Sequence, residues 1–302
     1  NLGYAVTGSD ISKNSSTERL ASLGIKITYS HIAENVAECD AVVVSSAIQP
    51  NNIELETARM RRIPIVPRAA MLAELMRFKH GIAVAGTHGK TTTTSLLAML
   101  FASANLDPTF VVGGKVNSFG FNAKLGQGKY FIAEADESDA SFLHLNPTIS
   151  IVTNIDCDHM EAYDYDFAKL NQTFLDFIHR LPFYGLAVLC IDDAAVRNLL
   201  PHISRPYITY GFSEDADIRA LSWQIVGRTT KFTVQIPGHA EPLAMQVNLS
   251  GKHNVLNSLA AIAVGLDADI PLDCIQNSLC DFKGVGRRFE ILGEYDLAGK
   301  NI

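Results

Sequence analysis

The chain contains 302 residues, of which 47% are hydrophobic and 19% are charged; this composition excludes an intrinsically disordered chain, and the length predicts about two domains. The formal net charge of −7 argues against nucleic-acid binding through bulk positive charge, and no apolar run approaches the roughly 20 residues of a membrane span. The five cysteines include no C-x-x-C pair, which argues against a zinc site or disulfide framework and favours a reducing compartment.

The first part of the chain alternates apolar runs with helical patterns. Strands are predicted at residues 4–7, 25–29, 41–45 and 63–66, and helices at 16–23, 53–62 and 68–78. This alternation predicts a small parallel sheet of βαβ units. Asp10 follows the first strand, where a Rossmann-like domain places an acidic residue about 20 residues after a glycine-rich loop. No such loop precedes Asp10, so the strand at 4–7 would be the second strand of such a domain, and we expect the domain's own first strand and its glycine turn to be missing from this sequence.

A second unit begins at residue 80. Its predicted strands lie at 82–85, 110–112, 130–133, 149–153 and 187–191, with helices at 91–104 and 166–180. The pattern changes between residues 207 and 249, where alternation at 232–236 and 243–249 predicts an antiparallel hairpin with Gly238 in its turn. Two further helices are predicted at 254–266 and 272–280. The fold class is therefore α/β, with an incomplete Rossmann-like N-terminal domain, a P-loop-type parallel-sheet domain and a small antiparallel hairpin region.

A glycine-rich turn joins the strand at 82–85 to the helix after it. From residue 86 it reads Gly86, Thr87, His88, Gly89, Lys90, Thr91 and Thr92. Glycines let backbone N–H groups turn toward an anion, and the helix N-terminus adds its dipole. A lysine at this point can reach the β- and γ-phosphates of a nucleotide, and the following threonine can ligate Mg²⁺. The turn is shorter than the full G-x-x-x-x-G-K-[ST] motif, but its context predicts a phosphate loop.

Two acidic segments follow strands of the same predicted sheet. Residues 134–139 contain four carboxylates, and residues 154–159 end in Asp158 and His159. Ligands in open α/β sheets bind beyond the carboxyl ends of the strands, so both segments should lie beside the phosphate loop. On spacing alone, these residues could form a magnesium site or could be solvated turn acids, and neither alternative is favoured. A histidine is an unusual ligand for a hard cation.

Two polar groupings lie near the C-terminal end. Asn254 and Asn257 share one helical face and could pair with a base edge, although Asn254 could instead cap the helix. Arg288, within residues 286–289, could clamp a phosphoryl group, although an Arg-Arg pair is more often a solvated surface.

Together these residues resemble the Mur ligases, an ATP-dependent family that builds the peptide of bacterial cell-wall precursors. Five segments match the family in order and spacing over nearly the whole chain: residues 86–92, 134–139, 154–159, 253–257 and 286–289. Residues 7–10, 45–48 and 68–77 support the N-terminal assignment. Within the family, the strings at 85–94, 134–143 and 286–289 are most similar to ligases that attach L-alanine.

The resemblance implies roles for individual residues. Lys90, His159 and Arg288 are the expected catalytic residues, and Thr91, Glu134 and His159 the expected Mg²⁺ ligands. The expected nucleotide-binding residues are Gly86, Thr87, His88, Gly89, Lys90, Thr91, Thr92, Asn254, Asn257 and Arg288. Asn254 and Asn257 correspond to adenine-side contacts, and Arg288 to an arginine that contacts phosphate.

The resemblance also implies domains, substrates and chemistry. Residues 1–79 would bind the UDP-sugar, residues 80–288 would bind ATP, and residues 289–302 would begin the linker to an amino-acid-binding domain. ATP would phosphorylate the lactyl carboxylate of UDP-N-acetylmuramate, and the amine of L-alanine would displace phosphate from the acyl phosphate. The expected cofactors are ATP and Mg²⁺, and the expected location is the cytoplasm, with no nucleic-acid or membrane partner and the oligomeric state open. We expect the printed residues to bind ATP but not to complete the ligation alone.

Four alternatives remain. A ligase that attaches a recycled tripeptide to the same sugar shares the loop and metal residues, although Ser138 and residues 139–143 favour the L-alanine enzyme. A non-catalytic module that binds ATP or UDP-sugar would not need the metal residues. A simple P-loop ATPase is disfavoured by the incomplete loop motif. A folate-polyglutamate-type ligase shares only the style of the loop.

Overall fold

A computed structural model describes residues 3–117, 119–285, 296–297 and 300–301. The described chain divides into two compact units, one ending at Glu74 and the other beginning at Leu75. Within it, no helix is both long enough and apolar enough to cross a membrane.

The first unit contains short parallel strand pairs and helices. Its strands are β1 (Thr7–Ser9), β2 (Lys26–Thr28), β3 (Val42–Val44) and β4 (Ile65–Pro67), and its helices are α1 (Ser15–Ser22), α2 (Ile53–Arg61) and α3 (Arg68–Met76), the last of which runs into the second unit. Strand β1 pairs in parallel with β2, and β3 pairs in parallel with β4. The side chains of Asn14 and Asn52 cap α1 and α2 by accepting backbone N–H bonds at their starts.

The prediction of one small parallel sheet in this unit is wrong. In the described residues the two strand pairs form separate two-stranded sheets. Alternating strands and helices indicate parallel pairing, but they do not specify which strands are neighbours. The first strand also begins three residues later than predicted, because its ladder with β2 starts at Thr7 and leaves Tyr4 and Val6 exposed.

The second unit is built on a ten-stranded sheet in its described part. The strands are β5 (His80–Ala85), β6 (Thr109–Val116), β7 (Phe121–Lys124), β8 (Tyr130–Glu134), β9 (Ile149–Val152), β10 (Leu186–Cys190), β11 (Tyr207–Gly211), β12 (Ile218–Val226), β13 (Thr229–Gln235) and β14 (Leu243–Val247). Their order is β14-β13-β12-β11-β10-β9-β5-β8-β6-β7. Neighbours from β12 to β6 pair in parallel, whereas β13, β14 and β7 pair antiparallel.

Helices bury the apolar surface of this sheet. They are α4 (Lys90–Ser103), α5 (Phe167–His179), α6 (Ala194–Leu199), α7 (Lys252–Asp267) and α8 (Leu272–Asp281). Leu96 and Phe101 of α4 share one core with Leu259 of α7 and with Ile82 and Val84 of β5. Full burial of each such side chain contributes about 1.5–3 kcal/mol. This core fixes the start of α4 against the carboxyl end of β5.

The mixed α/β architecture and the antiparallel hairpin of β13 and β14 confirm the predicted fold class. The antiparallel region begins later than residue 207, because β11 still pairs in parallel with β10 and β12 in parallel with β11; the first antiparallel pair on this side of the sheet is β12 with β13. Among the α-helices and the strands of the ten-stranded sheet, four elements were not predicted: β7, α6, β11 and β12. They are short or, in β12, exposed from Leu221 onward, so neither an apolar run nor alternation marks them. Short strands at Asp296–Leu297 and Lys300–Asn301 complete the described chain.

Candidate functional site

The predicted phosphate loop lies at the edge of the sheet formed by the carboxyl ends of the parallel strands. It connects β5 to α4, and β5 lies between β8 and β9 in the sheet. All three strands are parallel, so their carboxyl ends meet at one edge. The polar residues that follow β8 and β9 therefore flank the loop on both sides, as the sequence predicts.

Two glycines allow the tight path of this loop. Gly86 has φ +127, and a Cβ there would lie 2.1 Å from Thr153 Oγ1 and 2.9 Å from the carbonyl oxygen of Asn154. Gly89 has φ +88, and a Cβ there would lie 2.6 Å from Asn257 Oδ1. Gly89 is the N-cap of α4, and no described side chain caps that helix. The first backbone N–H groups of α4 are thus oriented as in an anion-binding helix start.

The residues after β9 hold the loop in place. Asn154 accepts from the backbone N–H of His88 at 2.8 Å and donates to the His88 carbonyl at 2.9 Å. The Thr153 hydroxyl donates to the same carbonyl at 2.6 Å, and Asp156 N donates to the Thr87 hydroxyl at 2.9 Å. Sequence reasoning did not include Thr153 and Asn154 among the site residues. The available signal was a run of polar residues at a strand end beside the loop.

Lys90 forms a mostly buried ion pair that the sequence did not reveal. Its Nζ lies 2.7 Å from Oε1 of Glu137 and donates to the Gly86 carbonyl at 2.7 Å and to the Thr87 carbonyl at 3.4 Å. The side chain of Lys90 is 18% exposed and that of Glu137 3% exposed. The Lys90 ammonium therefore contacts both the carbonyls of the loop and the buried carboxylate of Glu137.

Burial dominates the electrostatics of Glu137. Desolvation raises the pKa of this carboxyl above its usual value, although the hydrogen bond and charge of Lys90 act in the opposite direction. Its backbone carbonyl accepts from the hydroxyl of Tyr163 and from the N–H of Ala140. Burial, followed by the charge of Glu137, raises the pKa of Tyr163 to about 12.

Replacing Tyr163 by Phe is expected to lower the free energy of unfolding by about 1 kcal/mol at pH 8, because one buried hydrogen bond is lost. The raised pKa of Tyr163 means that the folded state keeps its proton between its usual value of 10.0 and about 12. The stability from this group is therefore present below pH 10 and declines toward pH 12. Urea unfolding at pH 8 and pH 11 should show the difference between wild type and Y163F shrinking.

A matched control is Tyr165→Phe, since Tyr165 is 74% exposed. This variant should unfold like the wild type at both pH values. A Y163F deficit that is absent at pH 8, or that grows toward pH 11, would contradict the described role of Tyr163.

Thr91 and Glu134 meet beside the loop. The Thr91 hydroxyl donates to Glu134 Oε2 at 3.2 Å, and Glu134 Oε1 accepts from the backbone N–H of Gly113. A hydroxyl and a carboxylate are oxygen donors that suit Mg²⁺, which in nucleotide sites takes its remaining ligands from phosphate and water. The predicted ligands Thr91 and Glu134 therefore fit a magnesium ion.

The two predicted histidines are exposed. His88 lies at the tip of the loop, with Nε2 3.6 Å from Asp156 Oδ2. His159 follows β9 in a left-handed conformation (φ +53) at the start of a short 3-10 helix, Met160–Tyr163. Among the described residues, no three His, Cys, Asp or Glu side chains come together as a metal cluster. The role of His159 as a metal ligand stays a prediction.

The asparagine pair lies at the start of α7. Asn257 Nδ2 donates to Asn254 Oδ1 at 3.2 Å, and the Thr93 hydroxyl of α4 donates to Asn257 Oδ1 at 3.2 Å. The alternative that Asn254 caps the helix is wrong, because Gly251 is the N-cap of α7. Both amides are buried and connect α7 to α4 next to Gly89. Their predicted contact with adenine is untested and stays a prediction.

The remaining predicted residues differ in what the structure describes. Thr92 lies half-buried in the first turn of α4. Arg288 and its neighbours at 286–289 lie outside the described residues.

Comparison with known proteins gives matches over both units. Residues 84–265 match the Mur ligase middle domain, and residues 1–80 match the family described as Mur ligase family, catalytic domain. Among solved structures, UDP-N-acetylmuramate-alanine ligase MurC from Thermotoga maritima is 30% identical with a TM-score of 0.84 over 96% of this chain and 65% of that one. This chain thus spans about two thirds of that relative.

Two further solved structures extend the comparison. One is UDP-N-acetylmuramate:L-alanyl-gamma-D-glutamyl-meso-diaminopimelate ligase (MPL) from Neisseria meningitides. It is 25% identical, with a TM-score of 0.83 over 94% of this chain and 92% of that one. MurF ligase from Thermotoga maritima, in complex with ADP, is 17% identical with a TM-score of 0.64 over 88% of this chain and 68% of that one, and shows a shared fold.

Proposed function

The chain belongs to the Mur ligase family, and we propose that it is the part of an ATP-dependent ligase that activates the lactyl carboxylate of UDP-N-acetylmuramate for attack by L-alanine in peptidoglycan synthesis. The observation that carries this proposal is the loop between β5 and α4. Its helix start, which no described side chain caps, lies beside Lys90 and the Thr91–Glu134 pair, and together these groups would bind phosphate and Mg²⁺ at one sheet edge.

The proposed chemistry needs positioning more than covalent participation. The N–H groups at the start of α4 would bind phosphate oxygens of ATP, and Lys90 would neutralise charge on the β- and γ-phosphates. Thr91 and Glu134 would hold Mg²⁺, which supplies further charge neutralisation when bound. Arg288 would contact the phosphoryl group and His159 would complete the metal site. A carboxylate becomes open to amine attack once it carries this phosphoryl group.

We propose the same domain boundaries that the sequence resemblance implies. Residues 1–79 would bind the UDP-sugar and residues 80–288 ATP, with Asn254 and Asn257 on the adenine side, and residues 289–302 would begin a linker to the amino-acid-binding domain. We place the protein in the cytoplasm, in accord with five cysteines that are all free thiols.

The choice of L-alanine over a tripeptide is the finer part of the proposal. It is supported by the 30% identity to the Thermotoga alanine ligase, against 25% to the Neisseria enzyme. It is also supported by Ser138 and residues 139–143, the stretch that favours an L-alanine enzyme. The tripeptide ligase is the second candidate, because this chain covers 92% of the length of that Neisseria enzyme.

The test is phosphate release by the protein at its natural full length, given ATP, Mg²⁺ and UDP-N-acetylmuramate. Three parallel reactions contain L-alanine, the tripeptide, or neither. Release that depends on L-alanine is the expected result. Release that depends on the tripeptide would replace the proposed substrate, and release without any amine would indicate an ATPase.

A further inference from the structure

The ammonium of Lys90 is fully engaged by the chain itself. An ammonium carries three N–H donors, and Lys90 Nζ has acceptors at the Gly86 carbonyl, the Thr87 carbonyl and Glu137 Oε1. To meet a phosphate oxygen, Lys90 must therefore exchange one of these partners.

The loop carbonyls are the partners that can be exchanged. The bond to the Thr87 carbonyl is long at 3.4 Å, whereas the charged bond to Glu137 is 2.7 Å. Glu137 cannot follow a displaced lysine, because its side chain is 3% exposed and its backbone carbonyl is held by Tyr163 and Ala140. The carboxylate thus stays behind Lys90 while the other side of the ammonium faces the loop.

This arrangement is not explained by stability. Oε2 of Glu137 is buried without a hydrogen-bond partner in the described residues, and such an oxygen costs free energy. Buried ion pairs are often no more stable than apolar replacements. The carboxylate also places negative charge close to the site of a negatively charged polyphosphate, which opposes nucleotide binding.

We propose that Glu137 is a positioning residue that fixes the Lys90 ammonium for the phosphoryl group being transferred, while lowering the affinity for resting nucleotide. The proposal rests on the nucleotide site proposed above and adds a residue to it. Glu137 acts only through Lys90.

Glu137→Gln separates these two effects. Removal of the carboxylate charge should tighten Mg·ADP binding by about 3–10-fold. Lys90 then loses its fixed anchor, and a misplacement of about 1 Å should lower turnover by about 10–100-fold. A residue with only a structural role would weaken binding and turnover together.

Glu137→Asp is the second variant, and it decides the question if the first does not fold. It keeps the charge but shortens the side chain by one methylene. Mg·ADP affinity should stay near wild type, while turnover falls as in E137Q. Asp164→Asn is the matched control, because it removes a carboxylate from an exposed pair with Lys169 at 2.6 Å. It should change neither quantity.

The experiment measures the Kd of Mg·ADP by calorimetry and the initial rate of phosphate release, for each variant at full length. Tighter binding with slower turnover in E137Q supports the proposal. Weaker binding together with slower turnover, or no change in either, overturns it while leaving the nucleotide site intact. A wild-type protein that does not bind Mg·ADP overturns the proposed function, and this inference with it.

Discussion

Replacing Lys90 by Met is expected to lower phosphate release by about two to three orders of magnitude, because one preorganised charge on the transferring phosphoryl group is lost. Met keeps the length and helix propensity of the side chain, so α4 should still start at residue 90. The loss should appear in kcat more than in substrate affinity, because Glu137 already offsets part of the lysine charge in the ground state.

The same variant should be less stable by about 3 kcal/mol at pH 8, since breaking a buried pair leaves an uncompensated charge. The uncompensated charge is the carboxylate of Glu137, and burial already raises the pKa of this group. A raised folded pKa means that the folded state gains stability as pH falls, so the K90M deficit should shrink toward pH 5. Urea unfolding at pH 8 and pH 5 measures both values.

The control for charge is the double variant Lys90→Met, Glu137→Gln. It should recover most of the lost stability at pH 8, because a neutral amide replaces the unpaired carboxylate. It should not recover activity. Equal stabilities of wild type, K90M and the double variant would contradict the buried pair.

Replacing Gly86 by Ala is expected to disrupt the loop from the β9 side. The new Cβ would lie 2.1 Å from Thr153 Oγ1 and 2.9 Å from the Asn154 carbonyl, and φ is +127. The Asn154 atom belongs to the backbone, so it cannot move aside by a change of rotamer. Strain and overpacking together should cost about 2–4 kcal/mol of stability. Nucleotide binding should weaken by at least tenfold, measured by calorimetry with Mg·ADP.

Gly227→Ala provides the matched control. Gly227 also has a positive φ of +63, but a Cβ there would meet nothing within 4 Å. This variant should lose about 1 kcal/mol from backbone conformation alone and bind Mg·ADP like the wild type. G86A binding that equals wild type would show that the loop is not the nucleotide site.

Much of the second unit could be predicted because its signals are local. The β5–loop–α4 unit is marked by an apolar run, two glycines and a lysine within a few residues, and the hairpin of β13 and β14 is marked by alternation. The element positions came within a few residues of the structure where the signal was long. Short elements such as β7 and α6 carry no period for a sequence pattern to reveal.

The internal connections of the site could not be predicted, because they join residues far apart in sequence. Glu137 lies 47 residues from Lys90, and Asn257 lies 164 residues from Thr93. Nothing in the acidic run at 134–139 distinguishes the buried Glu137 from its exposed neighbour Asp136. The separation of the strand pairs in the first unit was missed for the same reason, since strand neighbours are set by tertiary packing.

Hydrogen exchange of the protein with and without Mg·ATP tests whether nucleotide phosphate binds the loop between β5 and α4, because backbone N–H groups that bind phosphate exchange more slowly. We expect slower exchange in peptides that cover residues 86–94, and less slowing there in G86A at the same ATP concentration, because this variant should bind nucleotide at least tenfold more weakly. Slowing confined to other segments, or equal slowing at 86–94 in G86A, would contradict binding at the loop.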